Sequence, residues 1–327
     1  MKIKFLLRVV LTGIALLTAL TGALHADVSL APLFVDHAVL QRRVAVPVWG
    51  QALPGEAVRV EFREHAVATV ADEGGRWRVQ LPPMEAGAPG ELVVTGKNVL
   101  RLADVVVGEV WLCGGQSNMA FRVEELERPE VIAEATNAQI RHFAVGFAVA
   151  ASPAETAKGA WQICSPATVG KFTATGYYFA RELQQRLGVP VGLINSSVGG
   201  TQIESWMSAE ALASNPAFAV VQARWAAVIG DYPSQRRDYE AALAWWKKAS
   251  GRERLESAKQ GKRKPTPPRS ALHRDAPASL FNAMINPLVP YALRGISLRS
   301  RCRQRDAQRR VWRTLSRVDH GLARALG

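Results

Sequence analysis

The sequence predicts an α/β protein in which an N-terminal antiparallel β-sandwich precedes a three-layer α/β/α domain with a mainly parallel sheet. In residues 27–103, apolar and polar residues alternate over short segments, which is the period of strands with one buried face. After residue 104, runs that are apolar throughout alternate with helical patterns, as in α/β domains. With 327 residues, 48% of them hydrophobic, the chain is long enough for two domains.

The strand period of the N-terminal region is clearest in two segments. VRVEFRE has its apolar residues at Val58, Val60 and Phe62, and RWRVQL repeats the pattern after the DEGG turn of residues 72–75. Every second side chain of a strand points to the same face, so each segment presents one apolar face to a core. Short strands separated by turns at close intervals predict a small antiparallel sandwich.

The second region is built from units of strand, glycine turn and helix. Residues 105–112 and 191–194 are nearly all apolar, and both are predicted to be buried strands of a mainly parallel sheet. The connections between such strands are right-handed. Functional groups collect at the C-terminal ends of the strands.

Helical patterns complete this region. TGYYFARELQQRLG predicts a helix capped by Thr175 and ended by Gly188, with Phe179, Leu183 and Leu187 on one face. Another helix is expected to begin near Thr201. Residues 209–270 are predicted to be helical and increasingly basic, and residues 259–269 to form a solvated surface loop.

The N-terminus has the layout of a secretory signal peptide. Three basic residues precede an apolar stretch that ends in small residues, and cleavage is expected after Ala26. An uncleaved membrane anchor is the alternative, and no later segment is apolar for long enough to span a bilayer. We therefore predict export to the periplasm or the extracellular space.

The chain divides into a signal peptide (residues 1–26), a β-sandwich domain (27–103), an α/β domain (104–296) and a basic tail (297–327).

Charge and cysteine content exclude several classes of protein. The formal net charge is +13, but residues 297–327 hold nine arginines against Asp306 and Asp319. The basicity is therefore local, and we predict no nucleic-acid partner and, after cleavage of the signal peptide, no membrane partner. Cys113 and Cys164 are interpreted as buried hydrophobic residues, and with Cys302 they make too few for a disulfide framework. No cysteine and histidine cluster has the spacing of a zinc site.

The candidate site is the segment GGQSNM, residues 114–119, directly after the first apolar strand. A serine at a strand-to-helix turn projects its hydroxyl from the sheet edge, and the following helix offers backbone donors and a dipole for an oxyanion. Ser117 is therefore the candidate nucleophile. Gln116 and Asn118 would support the loop, and the turn at Gly199 and Gly200 would bring another amide to the same edge. The alternative is a simple tight turn in which Ser117 caps the helix.

Three segments carry a family resemblance. GEVWLCGGQSNM, CSPATVGKFTATGYYFAREL and VPVGLINSSVGGTQIESWM resemble successive blocks of the sialate O-acetylesterase family, secreted members of the SGNH hydrolase superfamily. The N-terminal LAPLFVDHAVLQRRVAVPVWGQALPGEAV resembles that family's β-sandwich domain, so the match covers residues 30–296. The resemblance implies Ser117 as nucleophile, with its own amide and the Gly199–Gly200 turn in the oxyanion hole. The implied reaction is hydrolysis of an acetyl ester on a sugar, without metal or cofactor.

The chain departs from this family after residue 296. Similar proteins continue with a motif like WYQGESN, whose asparagine completes the oxyanion hole, and later place an Asp and a His three residues apart as the base. Neither motif is present, so the SGNH hydrolase-like domain is predicted to be incomplete and its general base is unknown. Asp319 and His320 are a candidate replacement pair, but the side chains of adjacent residues generally point in different directions, so we predict no catalytic role for them. His37, His65, His142 and His273 are interpreted as structural or surface residues.

Two hypotheses address the tail. A reading-frame shift close to Ile296 would explain the missing motifs and predicts a family-like continuation in another frame of the gene. The alternative is a real basic extension that binds an acidic partner.

The sequence therefore predicts an exported carbohydrate O-acetylesterase, similar to sialate O-acetylesterases, whose chain is truncated and inactive or nearly so. One alternative is a secreted carbohydrate-binding protein without catalysis. Another is an enzyme similar to acetyl xylan esterases, since no residue separates sialic acid from xylan. The predicted partner is an O-acetylated sugar or polysaccharide substrate. The sequence does not indicate the oligomeric state.

Overall fold

The computed structural model describes residues 27–261 and 263–299. The predicted signal peptide lies outside the described residues, as do Cys302, Asp319 and His320 of the basic tail. The strands are β1 (Ser29–Leu30), β2 (Val39–Gln41), β3 (Val46–Gln51), β4 (Ala57–Phe62), β5 (His65–Val70), β6 (Arg76–Leu81), β7 (Gly90–Thr95), β8 (Val99–Gly115), β9 (Asn137–Ala144), β10 (Trp161–Cys164), β11 (Val191–Ser197) and β12 (Gly295–Arg299). The α-helices are α1 (Ser117–Ala120), α2 (Pro129–Ala133), α3 (Ala174–Leu187), α4 (Ala209–Ala213), α5 (Ala219–Lys248) and α6 (Gly251–Lys259).

The two strands with the clearest alternation in the sequence are confirmed. β4 buries Val58, Val60 and Phe62, and β6 buries every second residue from Trp77 to Leu81 while Arg76 and Arg78 stay exposed. The turn before β6 is held by the Asp72 carboxylate, which accepts the backbone N–H groups of Gly74 and Arg76. A side-chain acceptor in the turn thus satisfies amides that the strands leave free.

The strands form two sheets. β1, β3 and β6 make a three-stranded antiparallel sheet, and in the described part of the chain nine strands make a mixed sheet ordered β10-β9-β11-β8-β7-β4-β5, with β2 and β12 also paired to β8. β8, β9, β11 and β12 run parallel to one another. The α/β fold class, with an antiparallel N-terminal part followed by a mainly parallel sheet with helices, is confirmed.

Strand β8 passes through both regions of the fold. Its first half pairs antiparallel with β7, and its second half pairs parallel with β11 and β12. The boundary predicted between residues 103 and 104 falls inside this strand. Asp104 has a positive φ of 54° there, and its carboxylate is held by Arg141 at 3.0 Å and by His37 at 2.7 Å. Because the regions also share one buried core, from Val28 to Tyr291, the division into domains stays a prediction.

The long helix α3 is confirmed, but its cap is corrected. Thr173, not Thr175, is the N-cap and accepts the N–H of Gly176, while Gly188 ends the helix with a φ of 65°. The buried residues are Ala174, Gly176, Tyr177 and Ala180, whereas Leu187 is exposed. Small residues face the sheet because the helix axis lies close to it, as the proximity of Gly176 to Leu193 shows: a Cβ added at Gly176 would lie 3.3 Å from Cδ1 of Leu193.

The following region is only partly as predicted. The expected helix near Thr201 is a single 3₁₀ turn, Ile203–Trp206, and α4, α5 and α6 cover most of residues 209–259. None of the residues of α5 is buried. No helix in the described segments is long and apolar enough to cross a membrane.

Cys113 and Cys164 are buried free thiols, as predicted. Burial raises the pKa of Cys113 to about 12 and that of Cys164 to about 11. Neither thiol is poised for nucleophilic chemistry, because the thiolate is the reactive form.

Candidate active site

Two glycine turns lie side by side at the C-terminal edge of the sheet. In the register of β8 and β11, Ser196 pairs with Gly114 and Ser197 with Gly115. The backbone N–H of Val198 then donates to the carbonyl of Gly115 at 3.1 Å. Both strands therefore end at the same level, and the residues that follow them meet.

The first turn exposes the Ser117 hydroxyl. Gly115 has a φ of 129°, which only glycine adopts readily, and this conformation turns the chain sharply out of β8. Ser117 and Asn118 are exposed, whereas Gln116 is half-buried. The alternative in which Ser117 caps the helix is wrong, because Gln116 is the N-cap and no side chain makes a capping hydrogen bond.

Helix α1 is a single turn of four residues. The expected dipole of a full helix is therefore absent here, and the donors that remain are the local amides at the start of the turn. The carbonyl of Gln116 accepts the N–H groups of Met119 and Ala120 at 2.8 and 2.9 Å, which fixes this turn in a helical geometry.

The core and the start of α3 hold the Ser117 turn in place. Met119 is fully buried, and the Thr173 hydroxyl lies 3.4 Å from its sulfur. The Thr175 hydroxyl donates to the carbonyl of Asn118 at 3.1 Å. The backbone N–H of Ala174 donates to the carbonyl of Phe121 at 2.8 Å. Because these bonds flank Ser117 on its C-terminal side, they limit the positions that its side chain can reach.

The second turn, at Gly199 and Gly200, packs directly against Ser117. A Cβ placed on Gly199 would lie 3.6 Å from both Cα and Cβ of Ser117, so the backbones of the two turns are in close contact. Gly200 has a φ of 74°. The Thr201 hydroxyl donates to the carbonyl of Val198 at 2.8 Å and accepts from the Trp206 indole at 2.9 Å. This chain of bonds stiffens the bend that faces the serine.

A positively charged group lies beside the same bend. Nη2 of Arg274 is 3.3 Å from the position of a Cβ on Gly200. The nearest carboxylate, that of buried Asp275, is shared: it lies 3.4 Å from Arg269 and 3.9 Å from Arg274. His273 lies 3.6 Å from the same carboxylate, and burial lowers its pKa. When His273 is neutral, Arg269, Arg274 and Asp275 together carry one net positive charge.

The hydrogen bonds and ion pairs of the described histidines are made with residues other than Ser117. His37 bonds to Asp104, and the ring of His273 accepts the N–H of Asp275. His142 lies in the core, stacked on Phe172, and burial lowers its pKa to about 3. His65 lies 3.3 Å from Glu64. In the described part of the chain, none of these hydrogen bonds reaches the serine, and the general base stays unknown.

The structure brings together the predicted residues Gln116, Ser117, Asn118, Gly199 and Gly200 at one edge of the sheet. Their roles stay predictions. Sequence reasoning missed the supporting contacts of Thr201 and Trp206, although both lie in the quoted segment GGTQIESWM. It also missed Arg274, which comes from a segment distant along the chain and carries no local signal.

Comparisons with known proteins point to one family. Residues 107–258 match the family model described as "carbohydrate esterase, sialic acid-specific acetylesterase". The sialate O-acetylesterase of Mus musculus is 31% identical over 199 residues, which are 54% of this chain and 37% of the relative. That of Homo sapiens is 33% identical over 196 residues, 53% of this chain and 38% of the relative. The matched part is thus well under half the length of these relatives.

A solved structure extends the similarity to the fold. The carbohydrate acetylesterase of Xanthomonas citri is 32% identical and has a TM-score of 0.62, over 84% of this chain and 51% of that one. The family model, the curated relatives and the solved structure agree. Together they show that residues 107–258 match a carbohydrate esterase family model and that the chain is similar in sequence and fold to sialate O-acetylesterases and a carbohydrate acetylesterase.

Proposed function

We propose that this protein hydrolyses acetyl esters on sugars, with Ser117 as the nucleophile. The observation that carries the proposal is the exposed Ser117 at the end of β8, with the Gly199 backbone in contact with it. The names of the relatives supply the substrate class, acetylated carbohydrate.

The proposed reaction has two steps. The Ser117 oxygen attacks the acetyl carbonyl carbon, and the sugar hydroxyl leaves when the tetrahedral intermediate collapses to an acetyl-serine. Water then attacks this ester and releases acetate. The amide of Ser117 and an amide of the Gly199–Gly200 turn would donate to the oxyanion, a contribution of about 10²–10³ in turnover for each donor.

The substrate we favour carries a carboxylate. Arg274 lies at the bend beside Ser117 with one net positive charge left over in its group. An acidic sugar such as a sialic acid would place its carboxylate within reach of this guanidinium, and Arg binds carboxylates well because its donors are planar and paired. A neutral acetylated xylan has no carboxylate, so it would form no ion pair with Arg274.

We expect slow turnover. A serine hydroxyl needs a base, and the described histidines are engaged at Asp104, Asp275, Glu64 and the core. The rate should therefore rise with hydroxide concentration and show no plateau near pH 6.5, where an imidazole base would titrate.

The test is hydrolysis of O-acetylated sialic acid, acetylated xylan and p-nitrophenyl acetate from pH 5 to 10. Ser117→Ala should lower the rate on the acetylated sugar measurably, but by less than in an esterase with a base in place, because nucleophile and base act as a unit. The matched control is Ser197→Ala, whose half-buried side chain lies at the end of β11 and bonds to Asn195. Equal rates for Ser117→Ala and the unmodified protein would refute the proposal. A plateau with a midpoint at pH 6–7 would refute the missing base, and His320→Gln would then identify it.

A second candidate is carbohydrate binding without hydrolysis. The engagement of the described histidines elsewhere favours it. It predicts that acetylated sugar binds equally to the unmodified protein and to Ser117→Ala, with no acetate released by either.

We also propose export to the periplasm or the extracellular space, supported by the basic, apolar and small-residue pattern of residues 1–26. N-terminal sequencing of the protein recovered outside the cytoplasm should begin at Asp27. Recovery with Met1 from the cytoplasm only would refute export.

A further inference from the structure

A second cavity lies where the three-stranded sheet meets the rest of the molecule. Its volume is about 490 Å³, within the usual range of small-molecule sites. It is lined by ends of β1, β3 and β6 and by the segments 154–157 and 286–289. None of its lining residues belongs to the Ser117 site.

The polar side of this cavity is a row across three strands. Ser29 of β1 pairs with Gln51 of β3, and Gln51 pairs with Arg76 of β6. Directly opposed residues of neighbouring strands share a face of the sheet, so these side chains stand together. Trp49, two residues before Gln51, lies on the same face and is half-buried.

A carboxylate from another part of the fold contacts this row. Gln51 donates to Oε2 of Glu155 at 2.9 Å, and Arg76 donates to Oε1 of the same group at 3.0 Å. All three side chains are exposed, so the shared carboxylate favours one orientation of Gln51 and Arg76 without locking it. The amide oxygen of Gln51 and the other N–H groups of Arg76 remain as acceptor and donors.

Trp49 supplies the apolar side. Its ring packs edge-on against Phe34, with centroids 5.0 Å apart, and against Tyr291 at 6.3 Å. These neighbours hold the indole at the cavity wall. An aromatic ring beside planar donors and acceptors suits a sugar ring, which has an apolar face of C–H groups and a rim of hydroxyls that both donate and accept.

Resting on the proposed action on acetylated glycans, we propose that this cavity is a second carbohydrate site, which binds a sugar unit of the glycan away from the ester that is cleaved. Its charges cancel, since Arg76 faces Glu155. The sugar unit it takes is therefore neutral, in contrast to the acidic unit favoured beside Arg274.

The experiment measures binding of two neutral probes without O-acetyl groups, xylotetraose and N-acetyllactosamine, to full-length Ser117→Ala by calorimetry. One of them should bind, and Gln51→Ala combined with Arg76→Ala should weaken its affinity about tenfold or more, as expected for two lost hydrogen bonds. Arg101→Ala is the matched control, because Arg101 is an exposed arginine that pairs with a carboxylate, Glu91, as Arg76 does with Glu155, and it does not line the cavity. It should change the affinity less than twofold.

Trp49→Phe is the second variant, since it keeps an aromatic ring against Phe34 and Tyr291. It should weaken binding of the same probe, with the melting temperature within a few degrees of that of the parent. The proposal is overturned if neither probe binds, if the Gln51 and Arg76 changes leave the affinity intact, or if Arg101→Ala weakens it equally. Slow hydrolysis at Ser117 has no bearing on this measurement, because the parent protein lacks the nucleophile.

Discussion

The two glycines of the bend beside Ser117 should respond differently to the same small change. Gly200 has a φ of 74°, a conformation that costs an alanine about 1–2 kcal/mol. The added Cβ would also lie 3.3 Å from Nη2 of Arg274, the flexible end of a half-exposed side chain that can shift. The loss of flexibility in the unfolded chain offsets part of this cost, by about 0.4–1 kcal/mol. Gly200→Ala should thus destabilise the protein by about 1 kcal/mol.

Gly199→Ala should be nearly neutral for stability. Its Cβ would lie 3.6 Å from Cα and Cβ of Ser117, which is ordinary van der Waals contact, and its φ is not positive. The same methyl group, however, takes up space beside the Ser117 hydroxyl. We therefore expect the esterase rate to fall about tenfold in Gly199→Ala, as for a small displacement of reacting groups.

Thermal unfolding and acetyl ester hydrolysis of the two variants test this reasoning. Gly200→Ala should lower the melting temperature by roughly 2–4 °C, whereas Gly199→Ala should change it by less than about 2 °C. If Gly199→Ala were the less stable variant, or if it hydrolysed the ester at the unmodified rate, the contact between the two turns would not be as described.

Two further changes probe the fold that carries the site. Gly108→Ala would place a Cβ 2.1 Å from the Pro190 carbonyl oxygen, between β8 and the start of β11, and should destabilise the protein by about 3 kcal/mol. Denaturant unfolding measures this cost. The control is Gly230→Ala, which has open space on helix α5 and should be neutral or stabilising. Burial lowers the pKa of His142 to about 3 from an ordinary 6.5, so the unfolded chain takes up the proton first as pH falls and stability is lost below about pH 6.5. The control variant is His142→Phe, which keeps a ring against Phe172. Between pH 7.5 and 5.0 the free energy of unfolding of the unmodified protein should fall by about 2 kcal/mol more than that of His142→Phe. Equal decreases in the two proteins would contradict a neutral buried imidazole.

Local patterns predicted the parts of this fold that depend on neighbouring residues. The alternation in VRVEFRE and RWRVQL predicted the buried faces of β4 and β6, and the apolar runs predicted the cores of β8 and β11. The end of α3 at Gly188 followed from the left-handed conformation that glycine permits. Strand and helix periods are properties of the chain itself, so they are visible in its sequence.

Local patterns failed where a distant partner decided the outcome. Thr175 looked like a helix cap, but its hydroxyl bonds to the turn that carries Ser117, and Thr173 caps α3 instead. Of the apolar residues that share one face of α3, Phe179 and Leu183 pack against the core, whereas Leu187 is exposed. Which of two threonines caps the helix, and how far an apolar face is covered, depends on what packs against it.

The sequence by itself predicted the class of fold and the candidate nucleophile from strand periods and turn residues, and it predicted the family from the resemblance of its GGQSNM and SSVGGTQIESWM segments. Only the tertiary structure decided that Gly199 touches Ser117, that Arg274 lies at Gly200, and that Gln51 and Arg76 share the carboxylate of Glu155. The physical reason is that a turn is encoded by adjacent residues, whereas a contact between turns depends on the register of strands far apart in the chain.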